Sequence, residues 1–170
     1  NVAGTMTVQS GSEYAVAATT TTVTGATDVD GTVSITTGTY NADGSSDIDG
    51  TLSISSTGLY DADGSFDATN GAVTFAAAGI LKLADDVTSL GTLSTGAGTV
   101  EYDGAGDQTV LGDTYYNLEV DGDGSGNKSA GGNVNVNGTF TVDANCQRYR
   151  TASYTTTVTG ATDINSILKS

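Results

Sequence analysis

Apolar residues along this chain alternate with Thr, Ser, Asn and Asp in short bursts, and turns of Gly, Asp, Asn and Ser separate the bursts. Thr32-Val-Ser-Ile35, Thr51-Leu-Ser-Ile54, Asn117-Leu-Glu-Val120 and Thr139-Phe-Thr-Val142 show the pattern. A period of two places Val33 and Ile35 on one side of a strand, as it does Leu52 and Ile54, and predicts that those sides face a core. Helix formers are scarce, with Glu only at 13, 101 and 119 and Lys only at 82, 128 and 169. Thr, Val, Gly, Asp and Ser dominate, which fits strands joined by tight turns.

The bursts recur. Asp28-Val-Asp-Gly-Thr-Val-Ser-Ile35 returns as Asp47-Ile-Asp-Gly-Thr-Leu-Ser-Ile54, and looser copies follow at Asp67 to Phe75 and Asp86 to Ser94. Gly38-Thr-Tyr-Asn-Ala-Asp-Gly-Ser45 returns as Gly58-Leu-Tyr-Asp-Ala-Asp-Gly-Ser65. The aspartates at 28, 47, 67, 86, 107, 123, 143 and 163 mark out units of about 20 residues in all intervals but one. A longer period lies on top. Asn1-Val-Ala-Gly-Thr-Met-Thr-Val8 matches Asn135-Val-Asn-Gly-Thr-Phe-Thr-Val142, and Thr20 to Asp28 is repeated without change as Thr155 to Asp163.

A unit of this length buries no core alone, but stacked units pair each strand with its equivalents above and below. The fold expected is therefore all-β: a β-solenoid, or parallel β-helix, with coils of about 20 residues forming one repetitive domain over residues 1–170. At about 4.8 Å per strand, some eight coils make a rod a little under about 40 Å long. The alternative is a β-sandwich subunit completed by a donated strand. The copies at 1–28 and 135–163 are expected to mark subunit or repeat junctions. An uncapped solenoid exposes strand edges at both ends, and a head-to-tail contact that does not close generates a filament.

Charge narrows the partners. The chain carries 20 acidic and 5 basic residues, a net −15, and residues 1–81 hold no Lys or Arg. Binding to nucleic acid through a basic patch is disfavoured, and no apolar run has the length needed to span a bilayer. A first residue other than Met implies processing or excision from a longer precursor, and with it an exported, extracellular protein. Cys146 is the only cysteine and is expected to be a buried thiol, so no internal disulfide forms. The absence of His together with the lone Cys removes the usual catalytic triads. Paired carboxylates are the remaining machinery, and coils this regular leave little room for a cleft, so no enzyme is expected and no cofactor is required.

Calcium is the first ligand the residues bring forward. Asp121-Gly-Asp-Gly-Ser-Gly-Asn127 sets oxygen ligands at Asp121, Asp123, Ser125 and Asn127 with Gly126 between the last two, although Gly132 stands where a complete calcium loop has its Glu. The plain alternative is a turn between strands. Asp28, Asp47 and Asp67 form a second, weaker candidate, since stacked carboxylates about 4.8 Å apart repel by about 0.9 kcal/mol in water and a cation relieves them; screening by salt is the alternative. Outward Thr runs at 19–22 and 155–157 read as β propensity on a solvated face, with a flat face for ice or a crystalline polysaccharide as the functional alternative. Tyr40 and Tyr60 are expected to stack across coils, and Tyr115 and Tyr116 to point to opposite sides; a carbohydrate platform is the functional alternative.

The phrases Gly98-Thr-Val-Glu-Tyr to Asn117-Leu-Glu-Val120, Gly131 to Val142 and Thr155 to Ser166 resemble the β-strand repeats of very large surface proteins of Bacteroidota and related bacteria, which are filamentous and adhesin-like. The resemblance implies an exported fibre segment that assembles with copies of itself. A calcium-stabilised adhesin module that binds glycan or another cell surface is the alternative it implies. Cys146-Gln-Arg-Tyr-Arg150 departs from the usual Gly/Thr/Asn filler and marks a coil expected to bulge or make a contact.

Overall fold

The computed structural model describes residues 1–94, 96–122 and 125–165, all of them strand, turn or irregular. Parallel strands stacked about 20 residues apart form a β-solenoid of eight coils, each coil carrying three short strands. The sandwich alternative is thereby excluded, because every ladder is parallel and joins a strand to its equivalents one coil away. No helix among the described residues is long and apolar enough to cross a membrane.

The three strands of a coil define three faces. Face 1 begins with Met6–Val8, Thr27–Val29, Ser46–Ile48, Phe66–Asp67 and Val87–Ser89, and face 2 with Glu13–Val16, Thr32–Ile35, Thr51–Ile54, Ala72–Phe75 and Thr92–Ser94. Face 3 runs the whole length of the stack as one eight-stranded sheet: Thr20–Val23, Thr39–Ala42, Leu59–Ala62, Ile80–Leu83, Thr99–Tyr102, Asn117–Val120, Phe140–Val142 and Thr162–Ile164. Faces 1 and 2 end after the fifth coil and restart as separate three-stranded sheets, at Gln108–Val110 and Thr114–Tyr115.

Glycine permits the corners between faces to stack. A Cβ on Gly50 would strike the backbone of Gly31 one coil away, so that corner admits no side chain. Between corners the alternation seen in the sequence fills the interior. Val33, Leu52, Val73 and Leu93 pair in one ladder on face 2, and Ile35, Ile54 and Phe75 in the next.

Face 3 keeps its buried volume nearly constant by trading sizes between two inward columns. Tyr40 and Tyr60 accompany Ala42 and Ala62, Leu81 accompanies Leu83, and Val100 accompanies Tyr102. The trade extends across the core. Tyr60 donates to or accepts from Ser46 on face 1 (2.8 Å), and Tyr40 does the same with Thr27 (3.0 Å). One coil further on, Phe66 replaces the hydroxyl residue and Leu81 the tyrosine, so the polar pair becomes an apolar one.

At the break between the fifth and sixth coils, side chains take over from the missing ladders. Gln108 donates through Nε2 to the carbonyls of Leu83 (2.7 Å) and Asp85 (2.9 Å) and accepts from the Gly104 amide (3.2 Å). The buried phenols of Tyr102 and Tyr115 meet at 3.2 Å; the Leu111 amide donates to the first, and the second donates to the Leu111 carbonyl.

The expected stack of Asp28, Asp47 and Asp67 is present, and the longer aspartate series divides between faces. Asp28, Asp47 and Asp67 are paired neighbours on face 1, but Asp67 pairs next with Ser89 and not with Asp86. Asp163 belongs to face 3. Aspartates stand on strands of faces 1 and 3 and in the turns on either side of face 1, so a regular aspartate spacing counts coils without identifying the face.

Candidate functional site

The outer surface of face 3 collects most of the chemistry. Its central column runs in register Thr22, Asn41, Asp61, Lys82, Glu101, Glu119, Thr141, Asp163. Two residues along each strand, hydrogen bonds between coils align Asp43, Asp63, Ala84, Asp103, Asp121, Asp143 and Asn165. Side chains two apart on a strand share a side. The two columns therefore form an acidic double row whose one cation, among the described residues, is Lys82.

Lys82 Nζ sits 2.7 Å from Glu101 Oε1 and 3.4 Å from Asp103 Oδ2. The other oxygen of Asp103 is buried and has no hydrogen-bond partner among the described residues. Burial holds the Asp61 carboxyl above the usual range, and Asp63, Asp103 and Asp43 add repulsion that Lys82 offsets only in part. Glu119 is raised by burial and by Asp121 and Asp143. Burial also raises Glu101 against the pull of Lys82. The Lys82 ammonium, for its part, is raised: burial disfavours its charge, but Glu101 and Asp103 outweigh that.

The calcium candidates are distributed differently. Asp121 belongs to the face 3 row, where its Oδ1 accepts from the Gly122 amide at 2.7 Å. Ser125 donates to the Ala105 carbonyl (2.9 Å), and the Asn127 amide nitrogens, backbone and side chain, donate to Asp107 Oδ1 (2.8 and 2.9 Å). Asp123 lies outside the described residues. On face 1, Asp47 is raised by burial and by its neighbours Asp49, Asp67, Asp28 and Asp30, while Asp67 Oδ1 accepts from the Thr69 amide and hydroxyl. No group of three or more His, Cys, Asp or Glu placed to hold a metal ion occurs among the described residues.

The other residues singled out from the sequence fall into place structurally. Tyr40 and Tyr60 stack inside the rod and not on its surface, so they offer no platform to a sugar. Tyr115 is buried and Tyr116 is 40 % exposed. Cys146 is buried, and burial raises its thiol. Reasoning on the sequence missed that Lys128 is wholly buried, its ammonium donating to the Gly104 and Gly106 carbonyls. The strand pattern Asn127-Lys-Ser-Ala130 carries the signal, since Lys128 occupies an inward position in register with Gln108.

The two ends of the stack form the remaining surfaces of interest. Met6–Val8 and Glu13–Val16 are edge strands at one rim, with Met6 and Tyr14 half-buried and a depression of about 300 Å³ between Met6, Val8, Glu13 and Tyr14. Arg148–Arg150, Thr156–Val158 and Thr162–Ile164 are edge strands at the other, where Tyr154 is 44 % and Ile164 50 % exposed. No family model matches the chain, and neither does any curated protein or solved structure.

Proposed function

We propose that this chain is a structural, non-catalytic segment of an extracellular fibre that grows along the solenoid axis, the C-terminal rim of one unit meeting the N-terminal rim of the next. The observation that carries the proposal is the open C-terminal rim. In inner coils, positions such as Val29 and Ile48 are fully buried by the strand beyond them, whereas Ile164 in the last described coil is half exposed. Unpaired strand edges beside uncovered apolar positions are the surface that another coil satisfies. A contact between unlike ends does not close on itself, so it extends without limit. The extracellular setting is part of the same reading, supported by the acidic composition and by the resemblance to surface-fibre repeats.

Negative-stain micrographs of the purified chain are expected to show fibres one solenoid wide, and a chain lacking residues 151–170 is expected to give single short rods. Normal fibres from the shortened chain would assign the junction elsewhere.

The acidic double row of face 3 favours a second reading, a calcium-stiffened adhesin module, because an unpartnered buried oxygen on Asp103 and repelling neighbours both gain from a cation. A melting temperature that calcium raises and chelator restores supports it; one indifferent to both removes it.

A further inference from the structure

The turns of this solenoid repeatedly place Gly directly after Asp or Asn, as at Asp30, Asp49, Asn70 and Asn137. In that dipeptide the glycine nitrogen can reach the side-chain carbonyl carbon before it, because glycine has no side chain to block the approach. Most of these steps are held back by the fold. The Gly31 amide donates to the Val8 carbonyl (2.8 Å), Gly50 to Val29 (2.6 Å), Gly71 to Ala68 (2.9 Å) and Gly138 to Tyr116 (2.7 Å), so each nitrogen is engaged elsewhere. Packing restrains others. A Cβ at Gly44 would lie 2.4 Å from the Gly25 carbonyl oxygen, and one at Gly104 2.3 Å from that of Ala84, so these peptides press on the coil before them and have no room to turn.

The step from Asp121 to Gly122 differs on both counts. It follows Asn117–Val120, where the chain leaves face 3 at the end of the sixth coil. The Asp121 amide donates to the Tyr102 carbonyl (2.9 Å) and anchors that residue, but the Gly122 amide joins no bond to another backbone group among the described residues. It donates instead to Oδ1 of Asp121 itself, at 2.7 Å, which brings the nitrogen against the carboxyl group it can attack. Nothing crowds the peptide, since a Cβ at Gly122 would meet its nearest neighbour, the Gly104 carbonyl oxygen, at 3.6 Å. Asp113 makes the same contact with the Thr114 amide (2.6 Å), but there the branched side chain of threonine shields the nitrogen.

We infer that Asp121 is a site of spontaneous backbone modification, at which the folded chain closes a cyclic imide with Gly122 and reopens it as isoaspartate. In the closure the Gly122 nitrogen bonds to Asp121 Cγ and releases its proton, while one Cγ–O bond of the protonated carboxyl breaks. The hydroxyl that departs takes up the proton and leaves as water. In the reopening, water adds to either imide carbonyl. Addition at Cγ restores aspartate; addition at the main-chain carbonyl leaves a carboxylate there and routes the chain through Cβ and Cγ. Water is the only co-reactant. The product has the mass of the original chain but is one carbon longer along the backbone, between the sixth and seventh coils. The neutral ring also removes a charge that repels Glu119 on the acidic row. This inference is independent of the fibre reading.

The test follows isoaspartate site by site in the native chain held folded in warm, mildly acidic buffer, with peptide mapping by electron-transfer fragmentation to separate the isomers. Isoaspartate is expected at Asp121 about tenfold ahead of Asp30 and Asp49, the factor that about 1.4 kcal/mol of amide opening imposes. In urea, where every amide is released, the three rates are expected to converge. Gly122→Ala fits the corner without a contact closer than 3.6 Å and at a residue whose φ is not positive. It is expected to keep the melting temperature and lose most of the signal at Asp121. Asp121→Asn supplies a second readout, because its ring closes with loss of ammonia and reopens with a new carboxyl that charge separation of the intact chain detects; it is expected to change well ahead of Asn70 and Asn137. Equal rates at Asp121, Asp30 and Asp49 in the folded chain, or isoaspartate at Asp121 only in urea, would overturn the inference.

Discussion

Tyr40 and Tyr60 lie face to face inside the rod, their ring centroids 5.0 Å apart and their planes within 5° of parallel. Each phenol crosses the core to a hydroxyl on face 1, Thr27 for Tyr40 and Ser46 for Tyr60. Phe66 meets Tyr60 edge-on at 6.2 Å. The stack ties face 3 to face 1 over three coils.

Tyr60→Ala removes a large side chain from a fully buried site between Ala62, Leu81 and Tyr40. The expected loss is about 3–5 kcal/mol, by analogy with truncation of large aromatics in close-packed cores. Tyr60→Phe keeps the packing but leaves Ser46 Oγ without its partner, at a cost of about 1–3 kcal/mol. Tyr60→Phe with Ser46→Ala is expected to recover most of that second loss, since Phe66 and Leu81 make the equivalent contact apolar one coil away. Urea titration of the native chain, Tyr60→Phe, Ser46→Ala and the double variant measures the cycle. A loss in the double variant as large as in Tyr60→Phe alone would show that the phenol bond is not what Ser46 contributes.

Much of this architecture was legible from the pattern of the chain. Alternation in Thr32 to Ile35 and Thr51 to Ile54 identified the inward positions, and the return of Asp28 to Ile35 as Asp47 to Ile54 identified the coil. The face did not follow, because aspartates stand both on strands of two faces and in the turns on either side of face 1, and one copy of a segment is indistinguishable from another on the next face. That is why the aspartates formed one series in the sequence and divide between faces in the fold. The acidic double row escaped notice for a related reason: Asp61, Glu101 and Glu119 belong to three different coils and come together only through the register of face 3. The calcium loop carries the converse ambiguity. Oxygen-bearing residues at alternate positions mark a cation loop and a strand-to-strand turn equally well, and Ser125 and Asn127 bond to the coil before them.

Stability is expected to rise as the solution is acidified from neutral toward about pH 4. Asp61, Glu101 and Glu119 are all raised by burial, with like-charged neighbours adding to the shift. The folded chain therefore holds these protons at a pH where the unfolded chain has released them, and stability falls as pH rises through the raised values. Asp107, lowered by its hydrogen bonds to Asn127, works in the opposite sense and is a single group. Glu119→Gln is expected to raise the melting temperature at pH 7 and to flatten its dependence on pH between about 4 and 7. Calorimetry at three pH values checks both. A melting temperature that falls steadily on acidification over this range would contradict the expectation.

The break between the fifth and sixth coils is expected to divide the rod into two cooperative units. Across it only face 3 is continuous, and the Gln108 side chain replaces ladder bonds that the backbone makes between the other coils. Gln108→Ala leaves the carbonyls of Leu83 and Asp85 and the Gly104 amide without that partner, at a cost of about 1–3 kcal/mol. Hydrogen exchange in native conditions is expected to show coils six to eight opening before coils one to five, with Gln108→Ala widening the gap. Uniform protection along face 3 in both chains would mean that the one continuous sheet suffices to unite the rod.

The proposed end-to-end assembly is expected to depend on salt. Residues 1–81 contribute Asp and Glu but no Lys or Arg, and the N-terminal coils carry Glu13, Asp28 and Asp30. The last described coil presents Arg148 and Arg150, both exposed, on the edge strand of face 1. On the proposed assembly, this charge difference would favour head-to-tail contacts over contacts between two N-terminal rims. Arg148→Glu with Arg150→Glu reverses the charge of one partner without touching the core. Light scattering is expected to show end-to-end growth slowed at least tenfold at low ionic strength, with the difference from the native chain shrinking toward about 1 M salt as the screening length falls to about 3 Å. Equal growth of the two chains at low salt would place the attraction in the strand edges and apolar positions alone.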